Sequence, residues 1–103
     1  MPSQIETRRA QAQRVHVTVD ALTVDLDDGR TITTPLAWYP RLMHGTEQER
    51  QNHQIIGQGE GVHWPDLDED LSVEGMLAGL PSAEGPKSLK TWLDQRNASR
   101  KTG

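Results

Sequence analysis

Residues 57–75 read Gly57-Gln58-Gly59-Glu60-Gly61-Val62-His63-Trp64-Pro65-Asp66-Leu67-Asp68-Glu69-Asp70-Leu71-Ser72-Val73-Glu74-Gly75. The alternate glycines predict a turn, because glycine tolerates positive φ without steric cost. The short apolar run after them predicts a strand that ends at Pro65. An acidic run follows, and we expect it to lead into a helix that Ser72 caps at its N-terminus. A turn, a strand and a helix start in one segment are typical of a small α+β domain.

The composition restricts the class of protein. The chain has 103 residues, of which 33% are hydrophobic and none is cysteine, and its formal net charge is -4. One domain is expected at this length. The lack of cysteine excludes a disulfide framework, a thiolate zinc site and a cysteine nucleophile. The negative charge argues against a protein built to coat nucleic acid, although it leaves nucleic-acid binding open.

The sequence also indicates where the protein works. Its start has no apolar core of the signal-peptide kind, and no run approaches the roughly 18–20 apolar residues of a membrane helix. The lack of cysteine fits a reducing compartment. We therefore expect a cytoplasmic protein with no membrane partner, and no residue pattern calls for a cofactor.

Two segments near the N-terminus alternate apolar and polar residues, which predicts half-buried strands. Their apolar members, all expected to face inward, are Val15, Val17 and Val19 in the first segment and Leu22, Val24 and Leu26 in the second. Asp28-Gly29 is a strong tight-turn signal, and Thr31-Ile32-Thr33 predicts a third strand after it. Together these strands predict an antiparallel meander that needs a cover on its apolar face.

Short helices are predicted on both sides of the central segment. Pro40 suits the first position of one helix and Gly45 its C-terminal cap, and residues 46–49 form a capping box that starts a second. Residues 54–57 predict a fourth strand. A further helix is expected over about residues 73–80. The residues on its inner side would be Val73, Met76, Leu77 and Leu80.

These elements divide the chain into three predicted parts. Residues 1–13 form a flexible N-terminal arm, residues 14–80 an α+β domain, and residues 81–103 a linker and a C-terminal helix, which Ser88 is expected to cap. In the domain, a small antiparallel sheet is covered by short helices. We expect the sheet to consist of the three-stranded meander plus a hairpin.

Three segments carry a resemblance to a known family. They are Val24-Asp25-Leu26-Asp27-Asp28-Gly29-Arg30-Thr31-Ile32, Pro35-Leu36-Ala37-Trp38-Tyr39-Pro40-Arg41-Leu42 and Gly59-Glu60-Gly61-Val62-His63-Trp64-Pro65-Asp66-Leu67-Asp68-Glu69-Asp70. Through them, residues 14–79 resemble a bacterial family catalogued as domain of unknown function 2442. The resemblance implies a small sheet of hairpins covered by helices, and it implies no established activity.

Two further implications come with this family. Its members are often found beside another small protein, a pairing that looks like a toxin–antitoxin module. Some longer members also carry a C-terminal helix-turn-helix. The chain departs from those members, because the residues after Pro81 suffice for one helix and not for a DNA-binding domain.

The acidic run can be tested against known cation sites. Asp66, Asp68 and Asp70 fit the first three ligand positions of a calcium loop, but leucines stand where that loop needs its glycine and its bidentate glutamate. An EF-hand is therefore excluded, and a looser site for a hard cation stays open. The four histidines of the chain form no close metal-binding pair. His63 can carry protons toward Asp66 or Asp68, or it can be the outward residue of an amphipathic strand.

Aromatic and charged residues suggest an interface instead. Trp38, Tyr39, Arg41 and Trp64 belong to residue types found at interface hot spots, although both tryptophans can be core residues in a chain without phenylalanine. We expect Tyr39 and Arg41 to be exposed on either side of Pro40. The predicted partner-binding residues are Trp38, Tyr39, Arg41, His63, Asp66, Asp68, Glu69 and Asp70.

The preferred hypothesis is a non-enzymatic, antitoxin-like interaction module that binds a small cognate protein, encoded by the adjacent gene. An acidic module would suit a basic partner. A first alternative is a DNA-associated transcriptional regulator that acts as a homodimer through Arg8, Arg9, Arg14 or the basic tail. A second alternative is a minor metal-binding or enzymatic site near His63 and residues 66–70.

Overall fold

A computed structural model describes residues 10–102 of the chain, and the side chains of residues 10–98. In this part, six strands form two antiparallel three-stranded sheets of order β1-β2-β3 and β4-β5-β6. The strands are β1 (Ala12–Val17), β2 (Ala21–Leu26), β3 (Thr31–Pro35), β4 (Gln54–Ile56), β5 (Gly61–Trp64) and β6 (Glu69–Ser72). The α-helices are α1 (Pro40–His44), α2 (Glu47–Gln51), α3 (Val73–Leu77) and α4 (Pro86–Thr102), and 3₁₀ turns cover Leu36–Trp38 and Gly57–Gly59. The predicted α+β class is confirmed.

The first sheet is the predicted meander, with Val15 opposite Val24 and Val24 opposite Ile32. Its first strand begins at Ala12, inside the predicted N-terminal arm, of which residues 1–9 lie outside the described residues. The register shifts between Ala12 and Arg14. One extra residue in a strand reverses the alternation of faces, so Ala12 is buried in the same core as Val17.

Local turn and cap signals of the sequence are found in the structure. In the turn between β2 and β3, Gly29 has a φ of 94°, and Asp28 Oδ1 accepts a hydrogen bond from the Arg30 amide at 3.0 Å. In the capping box, Thr46 Oγ1 accepts from the Glu49 amide at 3.1 Å and Glu49 Oε1 accepts from the Thr46 amide at 2.9 Å. These signals act within a few residues, which is why they can be predicted without knowledge of the fold.

The second sheet contains a strand that the sequence did not predict. The acidic run does not lead directly into a helix, because Glu69–Ser72 form β6 and pair with β5, with Trp64 opposite Glu69. A turn at residues 65–68 connects the two strands, and Asp68 adopts a φ of 50° there. Alternation along β6 places Glu69 on the face of buried Trp64 and Asp70 on the opposite face.

Helix α3 is shorter than predicted. Ser72 caps it as expected, with its Oγ accepting a hydrogen bond from the Gly75 amide at 2.9 Å. The helix ends at Leu77, and Leu77 and Leu80 are 44% and 60% exposed, so the prediction that both face the core is wrong. Val19 is also wrongly predicted to face inward, because it follows the end of β1 and is 75% exposed.

The core lies between the two sheets and the short helices. It consists of Ala12, Val17, Leu22, Val24, Leu26, Leu36, Tyr39, Leu42, Val62, Trp64, Leu67, Val73 and Met76. Trp64 is fully buried, and its indole N–H donates to the Arg50 carbonyl oxygen at 3.0 Å. Gly45 packs so closely against Leu67 that a Cβ on this glycine would lie 2.9 Å from either Leu67 methyl carbon. The β5–β6 turn and the end of α1 are thereby held together.

Candidate functional site

A cleft of about 530 Å³ opens between β6, α3 and the segment that follows α3. Its lining residues are Tyr39, Arg41, Asp68, Glu69, Asp70, Leu71, Ser72, Gly75, Met76, Leu80, Pro81, Ser82, Ala83 and Glu84. The Ser82 amide donates to the Trp38 carbonyl oxygen at 3.0 Å, which ties the outer wall to the rest of the domain. The volume is in the range of pockets that hold small ligands or single side chains.

Arg41 forms one wall of the cleft and is not free. Its Nε and Nη2 donate to the two carboxylate oxygens of Glu84, the second at 3.2 Å, and its Nη1 donates to the Asp68 carbonyl oxygen at 3.1 Å. Only 16% of the side chain is exposed, so the prediction of an exposed Arg41 is wrong. Since the hydrogen bonds from Arg41 favour the carboxylate, they lower the pKa of Glu84 and the pKa of Arg41 rises in turn.

The same arginine takes part in the attachment of α4. The indole ring of Trp92 lies between two guanidinium groups, with Arg41 Cζ 5.0 Å and Arg96 Cζ 4.7 Å from the ring centroid. Arg96 in turn donates to both carboxylate oxygens of Glu49, at 3.1 and 2.8 Å. Helix α4 begins at Pro86, before the predicted cap Ser88, whose hydroxyl donates to Glu84.

Both carboxylates that anchor α4 are stabilised as anions. Hydrogen bonds from Arg96 lower the pKa of Glu49, as those from Arg41 lower that of Glu84. Because both pKa values lie below the ordinary value of 4.5, these pairs stabilise the folded chain at neutral pH. Their contribution is lost as the pH falls through the lowered values.

Tyr39 forms the floor of the cleft. Only 1% of this residue is exposed, so the prediction that it is exposed is wrong. It precedes Pro40, the first residue of α1, and its ring lies edge to face with Trp38 at a centroid distance of 6.5 Å. Its hydroxyl group has no hydrogen-bond partner. In this chain, which has no phenylalanine, the Tyr39 ring is part of the hydrophobic core, while its hydroxyl group makes no hydrogen bond.

Glu69 reaches the cleft from β6. Its Oε1 accepts from the Asp70 amide at 3.1 Å, whereas its Oε2 is buried and has no partner. Burial raises the pKa of this carboxyl group, and the neighbouring charge of Arg41 opposes that shift only in part. Among the side chains of residues 10–98, three buried oxygens lack a partner, and two of them belong to Tyr39 and Glu69, which are lining residues of this cleft.

The other predicted partner-binding residues lie elsewhere. His63 pairs with Asp70 across the outer face of the second sheet, and not with Asp66 or Asp68 as expected. Asp66 accepts from Asn52 Nδ2 at 2.9 Å. Trp38 is half-buried and does not line the cleft. Of the predicted set, the structure brings together Tyr39, Arg41, Asp68, Glu69 and Asp70.

Several contacts of the site had no signal in the sequence. Glu84 lies in the predicted linker, and it meets Arg41 across 43 positions of the chain. The two guanidinium groups beside Trp92, those of Arg41 and Arg96, were not predicted either. Pairs that are this distant in sequence leave no periodic pattern, so neither propensity nor spacing can reveal them.

The contacts of the described residues support neither alternative hypothesis, the DNA-associated regulator or the metal-binding or enzymatic site near His63. Within residues 10–98, no group of three histidine, cysteine or acidic side chains is arranged to hold a metal ion. Arg14 is exposed, and its Nη1 lies 3.9 Å from Asp25 Oδ2. Arg8 and Arg9 lie outside the described residues. None of the described helices is both long enough and apolar enough to span a bilayer.

Comparisons with known proteins agree with this fold. The model of a family described as "Protein of unknown function (DUF2442)" matches residues 12–82. A crystal structure of a protein of unknown function from Rhodospirillum rubrum is similar at 29% identity, with a TM-score of 0.66 over 75% of this chain and 95% of that chain. The solution structure of the uncharacterised protein CV0863 from Chromobacterium violaceum shares the fold at 20% identity, with a TM-score of 0.63 over 79% of this chain and 74% of that chain. No curated protein matches the sequence.

Proposed function

The chain belongs to the DUF2442 family, and on that premise we propose that it is a non-enzymatic, antitoxin-like interaction module for a small cognate protein of basic character. One observation carries the proposal. The residues that line the cleft include four acidic ones, Asp68, Glu69, Asp70 and Glu84, and a single basic one, Arg41, which is already paired with Glu84. The Asp70 carboxylate itself pairs with His63 on the opposite face of the second sheet.

The charges on the rim of the cleft face solvent. The side chains of Asp68 and Asp70 are 88% and 69% exposed. Exposed charges of one sign contribute mainly to the rate and specificity of association with a partner of opposite charge. The remaining groups do not converge as a catalytic set would, because His63 and Glu69 occupy opposite faces of the second sheet.

Co-expression with the product of the adjacent gene tests the proposal. Size-exclusion chromatography with mass determination should show a stable heterocomplex, and a lone monomer or homodimer would contradict the proposal. Titration calorimetry on the complex then locates the surface. We expect Asp68→Lys to weaken binding by about tenfold, and more strongly at low salt than at high salt.

The chain offers a matched control for this charge reversal. Asp20 is exposed in the turn between β1 and β2, outside the cleft. Asp20→Lys changes the net charge by the same amount, so it should alter the affinity by less than about twofold. Equal effects of the two substitutions would show that net charge alone, and not the rim of the cleft, determines binding.

A further inference from the structure

We propose that β4 is the contact strand of a homodimer, in which the β4 strands of two copies of the chain pair antiparallel about a two-fold axis at Ile55. β4 is a free edge of the second sheet, and Ile55 and Ile56 are each 40% exposed there. An exposed apolar edge is a template for strand pairing with another chain. The pairing joins the second sheets of both copies into one continuous sheet.

Proteins protect the free edges of sheets with charged side chains, proline or bulges, and the other edges of the two described sheets carry these devices. The register of β1 shifts after Ala12, and β3 ends at Pro35. β6 carries the charges of Glu69 and Asp70. β4 consists of Gln54–Ile56, with a regular register and with neither a charge nor a proline. Among the edges formed by residues 10–102, β4 therefore lacks all three devices.

The backbone of Ile55 directs its N–H and C=O groups away from its own sheet. Successive residues of a strand direct these groups to opposite sides. The Glu60 carbonyl oxygen accepts a hydrogen bond from the Val73 amide, on the β6 side of β5, at 2.9 Å. Gly61 therefore faces β4, where its partner is Ile56, and the preceding residue, Ile55, faces outward. Outside the β4–β5 ladder, no backbone group of residues 10–102 bonds to Ile55.

The properties of this edge select a second copy of the chain as its occupant. When Ile55 lies opposite its own counterpart in an antiparallel pair, the two residues exchange both hydrogen bonds, so the edge is complementary to itself. Residues 51–59 contain no lysine, arginine, aspartate or glutamate, so two chains of net charge -4 meet there without like charges opposite each other. Arg50 and Glu60 bound this uncharged run, and antiparallel pairing brings the basic end of one copy toward the acidic end of the other.

The contact should be weak and should stop at two copies. β4 has three residues, so we expect the interface to fall below the roughly 1,200 Å² of a standard one, with a dissociation constant of about 10–500 µM. The opposite edge of the sheet, β6, carries Glu69 and Asp70, and their charge disfavours the addition of further copies. The acidic rim of the cleft lies on that edge and stays free in the dimer, so the dimer and the proposed function can fail separately.

Sedimentation velocity of the full chain alone, from about 5 µM to about 1 mM, tests the dimer. The average mass should rise with concentration toward that of two chains and not beyond it. Hydrogen exchange locates the contact. The Ile55 amide should exchange freely at low concentration and at least about twofold more slowly at the highest, whereas the Val62 amide, inside the sheet, should not change. A monomer at every concentration, or a dimer in which Ile55 gains no protection, would overturn the proposal.

Two substitutions at the proposed axis test the contact. Ile55→Lys places like charges opposite each other and should weaken self-association by about tenfold or more. Ile55→Pro removes the outward amide donor without removing a bond to β5, and it should have the same effect. Val19→Lys is the matched control, because Val19 is 75% exposed in the turn between β1 and β2, and it should alter self-association by less than about twofold.

Circular dichroism verifies that each variant folds, and the exchange measurement on the wild-type chain decides the proposal even where a substitution unfolds the chain. Wild-type self-association in both Ile55 variants would show that the copies meet through another surface, and the assignment of β4 would fall. Equal weakening by Val19→Lys and Ile55→Lys would show that net charge governs the association, and it would overturn the assignment as well.

Discussion

Replacing Glu69 with glutamine should stabilise the protein at neutral pH. Burial raises the pKa of this carboxyl group above the ordinary value of 4.5, so the folded chain binds its proton more tightly than the unfolded chain does. Stability then falls as the pH rises through the window between the unfolded and the folded pKa. Above that window the folded state carries a buried carboxylate with one unpartnered oxygen.

The size of the effect follows from the surroundings of that oxygen. A partly buried carboxylate with an unpartnered oxygen costs more than the neutral amide that would replace it, although the amide NH2 group would also lack a partner, and the partial exposure of Glu69 keeps the difference small. We therefore expect Glu69→Gln to raise the free energy of unfolding by about 1 kcal/mol at pH 7. In a domain of this size that corresponds to an increase in melting temperature of about 4–8 °C.

Urea unfolding followed by circular dichroism, repeated at intervals from pH 4 to pH 8, measures this difference. The two proteins should have similar stability at the acid end, where the wild-type carboxyl group is also neutral, and should diverge as the pH rises. Glu47→Gln, at an exposed position of α2, is the control and should give a small, flat difference. A Glu69→Gln variant that is less stable than wild type at pH 7, or a difference that does not vary with pH, would refute the reasoning.

Three further outcomes are expected. Tyr39→Phe should leave the free energy of unfolding unchanged or raise it by up to about 1 kcal/mol in urea denaturation, because the hydroxyl group has no partner; a loss of stability would show that it has one. Trp92→Ala removes the ring between two guanidinium groups, each contact being worth about 0.5–2 kcal/mol, and should make α4 more sensitive to limited trypsin digestion than wild type. Gly45→Ala should lower the melting temperature, at a cost of about 1–3 kcal/mol, because the new Cβ would lie 2.9 Å from the Leu67 methyl carbons; an unchanged melting curve would show that this side chain can move away.

Features that act within a few residues could be predicted from the sequence. The Asp28-Gly29 turn and the caps at Thr46 and Ser72 depend on hydrogen bonds to amides two or three positions away. The strand β6 could not be predicted in the same way, because Glu69 and Asp70 are poor strand formers. Pairing with β5 supplies the stability that their intrinsic preference lacks.

The site was predicted less well than the fold. Tyr39 and Arg41 belong to residue types that are common at interfaces, and that association suggested exposure. In the structure the tyrosine ring fills the core and the arginine is held by Glu84 and Trp92. The acidic run was expected to act as one surface, but its division between two faces of a strand depends on a register that composition does not encode.

The position of Trp92 between Arg41 and Arg96 has a consequence for spectroscopy. Trp64 is fully buried among apolar residues, whereas Trp92 is only partly buried and is surrounded by cations, so the two indoles should differ in emission wavelength and in quenching. Release of α4 would alter the emission of Trp92 while the buried fluorophore remains unchanged. Emission and circular dichroism should therefore give transitions that do not coincide, and the gap between them would measure how independently the last helix melts.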